Sequence, residues 1–433
     1  MKSSIICIGT ELNLGLIVNT NAKYISEKLA EIGIDCNLIL TIKDEKEDIS
    51  DSLKYALERS DIVIISGGLG PTDDDITREA VADALNLRLY KDDKLDVASL
   101  KFIKPVLTNE LKTRLLRQSF IPEGSIPILP NIGSASGFII EIKERKKWIF
   151  VIPGVPKEMK DMFDKDVLPK IMKLYKQQTQ NELSKKIKKK VLLTTGISES
   201  EIEENIKDIY KEAKDIGVKI GITASPGLIR LIIISESNSN EKNEKNIKFI
   251  TKKLMEKLGN YIYGEEEDLI TNNIKNIILN SGKNITISVA ESLTGGLISN
   301  MISDIPGSSE YFLGGVVSYS NYSKIKLLNI DPIDLEKYGA VSSEVCKKMA
   351  ISAKRLFNSD FAISATGFAG PTVNEAGKDV GLVYTCIAGP GDNIKIFENK
   401  FIGTRTEIKF RVSQFILNKL RIEIEEYNKN SSN

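Results

Sequence analysis

The residues with the clearest chemical potential lie in two glycine-bearing loops far apart in the chain, and the chain contains no histidine. That absence excludes Ser-His-Asp and Cys-His catalysis and every metal site with an imidazole ligand. The base must then be a carboxylate, a lysine, a tyrosine or a metal-bound water. The first loop is Ser66-Gly67-Gly68-Leu69-Gly70-Pro71-Thr72-Asp73-Asp74-Asp75. Its glycines allow backbone to approach a phosphate, and the helix expected from Ile76 offers unpaired amides to one. Asp73, Asp74 and Asp75 would repel a bare phosphate, so their chemistry points to a divalent cation held between them and the substrate. The simpler alternative is that they cap the helix, for which one aspartate suffices. Glu11 and Asp44 fall at strand ends and can reach the same edge. No GK[ST] follows the glycines and the spacing misses GxGxxG, so neither common nucleotide loop applies. By chemistry alone this is a metal-assisted phosphate-ester or pyrophosphate site.

The second loop is Glu291-Ser292-Leu293-Thr294-Gly295-Gly296, followed by a helix from Leu297 whose N-terminus suits an anionic group. Downstream come Pro306-Gly307-Ser308-Ser309 and Ser318-Tyr319-Ser320-Asn321-Tyr322-Ser323-Lys324. Lys324 is expected in the first turn of a helix beginning near Asn321. The helix dipole and burial both depress a lysine pKa there. A depressed lysine is one of the few ways to activate a serine without histidine, and Tyr319 could relay the proton or hold the lysine. The alternative is a solvated lysine among turn and cap serines. The formal SxxK of Ser323 and Lys326 reads as chance, and Tyr319 and Lys324 miss the YxxxK spacing.

Both loops need strands to present them. The first segment alternates: strand Ser4–Ile8, helix 19–32 with an apolar stripe at Tyr24, Ile25, Leu29 and Ile32, strand Cys36–Ile42, helix 48–58, strand 61–66 and helix 76–85. This βαβαβα pattern implies a parallel sheet with helices on both faces. The segment closes near Ile171, and the Lys-rich stretch 177–190 reads as a linker. A smaller segment, 191–263, reads as strand 191–195, helix 199–213, and a hairpin 218–224 and 228–235 turning at Pro226-Gly227. A polar loop 236–246, helix 247–258 and strand 261–263 follow. The third segment again alternates, opens its site on a strand at 286–290, and ends on an amphipathic helix, 406–427. The expected fold class is α/β: two three-layer domains with mainly parallel sheets, 1–173 and 265–428, joined by a small α+β domain, 191–263.

At 433 residues, with 41% hydrophobic and 27% charged residues, the chain has a soluble globular composition with room for two or three cores. A net charge of +1 argues against broad phosphate neutralisation on nucleic acid. Cys7, Cys36, Cys346 and Cys386 form no CxxC pair and read as reduced thiols of a cytoplasmic protein. No signal-like or membrane-length apolar run is evident, so no membrane partner is expected.

Four ordered motifs in the first segment resemble the molybdopterin-binding-type domain of the CinA family. They are Gly9-Thr10-Glu11-Leu12, Asn19-Thr20-Asn21, the loop from Gly67 to Thr77, and Pro153-Gly154-Val155-Pro156-Lys157-Glu158-Met159. The resemblance implies a metal-dependent ADP-ribose pyrophosphatase at Glu11, Asn19, Asp44, Gly67, Gly68, Gly70 and Thr72, with Asp73, Asp74 and Asp75 on the metal. A molybdopterin-handling activity competes with it. Ser136 stands where the family usually has proline, in a loop that could shape the pocket. Five later motifs, at 290–296, 306–309, 319–324, 339–342 and 365–371, resemble the family's C-terminal domain, a nicotinamide mononucleotide deamidase. The resemblance implies release of ammonia without a cofactor. In that reading Ser309 is the nucleophile, Lys324 the base and Tyr319 its support, with amides near Ser309 stabilising the oxyanion. Ser292, Thr294, Gly295, Thr366, Gly367 and Gly370 would hold ribose and phosphate, with Arg405 on the phosphate. After Pro371 the chain lacks the family's glycine-rich run and Lys-Pro step. The middle segment is similar to the family's KH-like domain but has no GxxG loop, so a spacer or dimerisation element is expected rather than nucleic-acid binding. The expected partners are nicotinamide mononucleotide, ADP-ribose and a second copy of the chain. The alternative is a binding protein tied to competence or DNA repair.

Overall fold

The computed structural model describes residues 1–95, 115–178, 186–371 and 379–430. They fall into two compact units, 1–188 with 236–243, and 189–235 with 244–433.

In the first unit β1 (Lys2–Ile8), β2 (Asp35–Ile42) and β3 (Ile62–Ser66) form the parallel part of a six-stranded sheet. A two-stranded ribbon, β4 (Leu89–Lys91) and β5 (Phe120–Pro122), stands apart. β6 (Ile126–Ile128), β7 (Gly137–Ile142) and β8 (Lys147–Ile152) complete the large sheet in the order β2-β1-β3-β8-β7-β6. β8 is parallel to β3, while β7 and β6 add an antiparallel hairpin. Both faces are covered, as unbroken apolar strands require. Ile5 and Cys7 pack with Ala22, Ile25 and Leu29 of helix Thr20–Glu31 on one face. Ile6 and Ile8 pack with Ile49 and Leu53 of helix Lys46–Arg59 on the other. The apolar spacing of each helix turns one stripe to the sheet.

The second unit opens with β9 (Lys186–Thr194), β10 (Val218–Ser225), β11 (Leu228–Ser237) and β12 (Ile262–Glu265), ordered β10-β11-β9-β12. Helix Glu199–Asp215 starts at a complete capping box, Ser198 with Glu201. Two boundaries differ from the sequence reading. Residues 186–190, expected in the linker, lengthen β9 as its largely solvent-facing start, where lysine side chains stay hydrated while the backbone pairs. The expected polar loop becomes helix from Asn240, running to Leu258; exposed Lys and Glu are good helix formers without an apolar stripe. Of the expected linker, 177–178 complete helix Leu168–Gln178 and 179–185 lie outside the described residues.

The rest of this unit builds on β13 (Ile287–Glu291), β14 (Phe312–Val317), β15 (Phe361–Gly367), β16 (Leu382–Ala388) and β17 (Ile394–Lys400). The order is β14-β13-β15-β16-β17. β13 is parallel to both neighbours, and β16 and β17 extend the sheet antiparallel. Helix Ser343–Phe357 covers one face through Val345, Cys346, Met349 and Ala353. The terminal helix, Arg405–Asn430, covers the other through Ile408, Val412, Ile416 and Leu420. The fold is thus α/β, with the parallel strands of each large sheet carrying the glycine loops at their C-terminal ends. Among the described residues the cysteines are free, and no helix is long and apolar enough to cross a membrane.

Candidate functional sites

At the end of β13, the Ser292 amide donates to Ala365 O on β15 at 2.9 Å, fixing the loop to the sheet. Gly295 and Gly296 take φ +61° and +97°, values that let the chain turn directly into helix Leu297–Ser303. The helix N-terminus does not await a ligand, contrary to the sequence expectation. The fully buried Glu291 carboxylate accepts from the amides of Gly296, Ile298 and Ser299 at 2.9, 3.1 and 2.9 Å, and from Ser299 Oγ at 2.6 Å. Four donors satisfy one buried charge, so the anion site at this end is already filled from within the chain.

Lys324 is 1% exposed, at the fourth position of helix Asn321–Leu328, which is capped by Ser320 and Ser323. Its Nζ donates to Ser292 Oγ at 3.0 Å and to Ser318 O at 2.8 Å. Burial lowers its pKa from 10.5 to about 8, since removing an ammonium from water disfavours the charged form. Ser292 is itself buried. A hydroxyl and a lysine with a depressed pKa therefore share a hydrogen bond, the requirement for activating a serine without histidine.

Ser309 is not part of this pair. It sits in the exposed turn Ser308–Glu310, ahead of β14. β14 runs parallel to β13 with Phe312 beside Ile287 and Val317 beside Glu291. Ser309 is therefore at the strand-start edge, and Ser292, Ser318 and Lys324 are at the strand-end edge. Five residue steps along β14 separate the edges by about 16 Å. The expected pairing of Ser309 with Lys324 is not met by a contact within the chain: the serine hydrogen-bonded to the lysine is Ser292.

Tyr319 does not hold Lys324 either. It is 59% exposed, and its hydroxyl accepts from Arg405 Nη2 at 2.7 Å. Arg405 Nη1 donates to Gly370 O at 2.7 Å, so this guanidinium ties two loops together rather than standing open to a phosphate. Thr366 is buried and donates to Ala340 O at 2.9 Å, a packing role. Gly367 lies where a side chain would run into Leu382 O and Val383, and Gly370 where it would meet Val380. The departure from the family pattern at 372–378 lies outside the described residues.

In the first unit, a cavity of about 350 Å³ opens at the ends of β1, β3 and β8. Glu11, Asp44, Asp74, Asp75 and Glu158 line it together with Gly67, Gly68, Gly70 and Gly154, and among the described residues no Lys or Arg does. Gly67 has φ +121°, and a side chain there would press on Ile8 O at 2.2 Å, so only glycine fits. Asn21 Nδ2 bridges Ser66 Oγ at 3.1 Å and Gly154 O at 2.7 Å, joining two of the sequence motifs. Asp44 accepts from Thr10 N and Oγ1 at 2.7 and 2.9 Å with one oxygen.

The three aspartates do not act as one set. Asp73 pairs with Arg117 at 3.5 Å and does not line the cavity. Asp75 accepts from Thr72 N at 2.9 Å and from Thr72 Oγ1. None caps helix Thr77–Ala84, whose N-cap Ile76 has no side-chain bond. Among the described residues, no three His, Cys, Asp or Glu side chains come close enough to hold a metal ion. The expected ligand set Asp73, Asp74 and Asp75 is therefore corrected; the acidic groups that share the cavity are those of Glu11, Asp44, Asp74, Asp75 and Glu158. Asn19 is also displaced from the site: it caps helix Thr20–Glu31 by accepting from Ala22 N at 3.0 Å. Thr72 likewise supports Asp75 and does not line the cavity. Ser136 is buried with no partner for its hydroxyl, and its neighbours Ser134 and Ala135 line the cavity instead. Glu158, inside a motif but given no role from sequence, has its pKa raised by burial.

Two sheets with glycine loops at their parallel strand ends, one carrying a Ser–Lys pair and the other an acidic cavity, define a multidomain α/β protein. The family described as "CinA C-terminal domain" matches residues 270–424. "Probable molybdopterin binding domain" matches 4–173, and "Damage-inducible protein CinA KH domain" matches 189–264. A protein of Caldicellulosiruptor bescii described as competence-damage inducible is 40% identical over 429 residues, covering 99% of this chain and 100% of that protein. A CinA-like protein of Fusobacterium nucleatum is 38% identical over 417 residues, covering 96% and 97% respectively. The crystal structure of a CinA protein from Thermoplasma acidophilum is similar over 40% of this chain and 97% of that one, at 32% identity and TM-score 0.36. The chain belongs to the CinA family.

Proposed function

We propose that the C-terminal part of the chain is a Ser–Lys amidohydrolase acting on the carboxamide of nicotinamide mononucleotide. The observation that carries the reading is the bond between the buried Lys324 and Ser292 in a chain without histidine. Neutral Lys324 takes the Ser292 hydroxyl proton as Oγ attacks the carboxamide carbon. The tetrahedral adduct collapses when Lys324 returns that proton to the departing nitrogen, releasing ammonia and leaving an acyl ester on Ser292. Water then attacks the ester, giving its proton through Lys324 back to Ser292 and freeing nicotinate mononucleotide. The amides of Leu293 and Thr294 directly follow the nucleophile and have no acceptor among the described residues. They are the donors available to the oxyanion. The choice of substrate rests on the family resemblance. Incubation of the purified chain with nicotinamide mononucleotide, with ammonia as readout, tests it: stoichiometric ammonia and nicotinate mononucleotide are expected, and unchanged substrate refutes it.

For the N-terminal domain the reading is hydrolysis of the ADP-ribose pyrophosphate to AMP and ribose 5-phosphate. Five carboxylates lining one cavity, with no basic side chain among the described residues there, support it, because a pyrophosphate enters such a cavity only with a compensating cation. Their oxygen donors fit a divalent ion in type. One or two of the cavity's carboxylates, from Glu11, Asp44, Asp74, Asp75 and Glu158, would hold it together with the pyrophosphate oxygens, and it would neutralise charge there. The glycines at 67, 68 and 154 leave room for backbone to meet the phosphates. Activity that persists in excess chelator refutes this half.

A further inference from the structure

Besides the Leu293 and Thr294 amides assigned to the oxyanion, three potential anion receptors surround the Ser292 loop, and two of them are already committed. The amides opening helix Leu297–Ser303 are occupied by the Glu291 carboxylate. Arg405 spends Nη1 on Gly370 O and Nη2 on Tyr319 OH. The third is Lys409, one helical turn beyond Arg405 and therefore on the same face of the terminal helix. A side chain built on Gly295 would approach Lys409 Nζ at 3.4 Å, so the ammonium stands directly over the loop that carries Ser292. Lys409 is only half-buried, and its side chain has no ion-pair or hydrogen-bond partner among the described residues. Next to it, Thr294 is fully buried, and its Oγ1 has no partner. An uncommitted cation and an unpaired hydroxyl flank one glycine, three residues from the proposed nucleophile. That chain span is at most about 10 Å, the scale of a nucleotide from base substituent to 5′-phosphate.

We propose that Lys409 receives the phosphate monoester of the substrate, and that Arg405 is a positioning residue that fixes the Tyr319 and Gly370 loops. This deepens the amidohydrolase reading and rests on it for the identity of the reacting end. Gly295 is glycine because of its φ of +61°, and a Cβ there would be in ordinary van der Waals contact with the Lys409 ammonium. A lysine suits the position because it offers three rotatable donors as a compact charge, whereas the neighbouring fork of Arg405 is held rigid by its two acceptors.

The test uses the full chain with Lys409→Met and Lys409→Arg, and Lys275→Met as a control lysine of the same unit. Deamidation is measured on nicotinamide mononucleotide and on nicotinamide riboside, which lacks the phosphate. A charge-assisted contact of ordinary strength corresponds to roughly 10- to 100-fold. Lys409→Met is expected to raise KM for the nucleotide by that factor with kcat nearly unchanged, to leave the riboside unaffected, and to be rescued by Lys409→Arg. Arg405→Ala is expected instead to lower kcat on both substrates. Calorimetric binding of nicotinate mononucleotide supplies a readout free of turnover: Lys409→Met should weaken it and Lys275→Met should not. If the wild type releases no ammonia yet binding depends on Lys409, the phosphate site stands and the amidase reading fails. Equal binding by wild type and Lys409→Met, or equal KM losses with nucleotide and riboside, overturns the proposal.

Discussion

Replacing Lys324 by methionine separates the stability cost of the proposed base from its use. The shift from 10.5 to about 8 corresponds to about 3 kcal/mol, at 1.36 kcal/mol per pKa unit. The folded-state pKa is the lower one, so the folded protein binds fewer protons here than the unfolded chain between pH 8 and 10.5. Stability attributable to this residue therefore rises with pH across that window, and the full penalty is present below pH 8. Methionine removes the penalty but leaves Ser318 O and Ser292 Oγ without their donor, at roughly 1 kcal/mol each. At pH 7 the variant should be about 1 kcal/mol more stable than wild type, a gain of a few degrees in Tm for a unit of this size. By pH 10.5 the order should reverse, with wild type gaining about 3 kcal/mol relative to the variant. Because the lost bonds affect the variant at every pH, the slope of the difference, rather than its size, reports the lysine. Calorimetric melting of both proteins at half-unit pH steps provides it. A difference that stays flat from pH 7 to 10.5 would mean an ordinary lysine pKa and would refute the dyad chemistry.

The same lysine predicts that kcat/KM for deamidation climbs tenfold per pH unit below about 8 and then levels, as the neutral base accumulates; a profile falling through pH 8 contradicts it. In the N-terminal domain, Asp74→Asn with Asp75→Asn should reduce ADP-ribose hydrolysis at least a hundredfold, whereas Asp73→Asn, outside the cavity, should change it less than threefold; both should leave ammonia release intact. Gly67→Ala should destabilise the first unit by about 2–4 kcal/mol, from a positive φ and the contact with Ile8 O, and a melting curve unchanged within 1 °C would contradict that contact.

Much of the architecture was legible because local patterns agree with tertiary burial. The apolar runs of β1, β3 and β13 and the stripe of helix Thr20–Glu31 read directly as sheet and covering helix. Glycine loops at strand ends marked both sites. What escaped the sequence was direction across a strand. Ser309 and Lys324 are separated only by β14 and its flanking turns, yet the extended strand places them at opposite edges. The bonds from Arg405 to Tyr319 and from Arg117 to Asp73 join residues far apart in sequence, and no local spacing encodes them. Glu291 appeared only as a motif letter; its burial under four donors is what closes that helix end and shifts attention to Lys409.

The central claim is that Ser292, rather than Ser309, is the serine that Lys324 activates. Ammonia release from nicotinamide mononucleotide by Ser292→Ala and Ser309→Ala, each compared with wild type, tests it most directly. The geometry predicts loss of at least a thousandfold in kcat/KM for Ser292→Ala, the scale of removing a catalytic nucleophile, and near wild-type turnover for Ser309→Ala. Retained turnover in Ser292→Ala would contradict it.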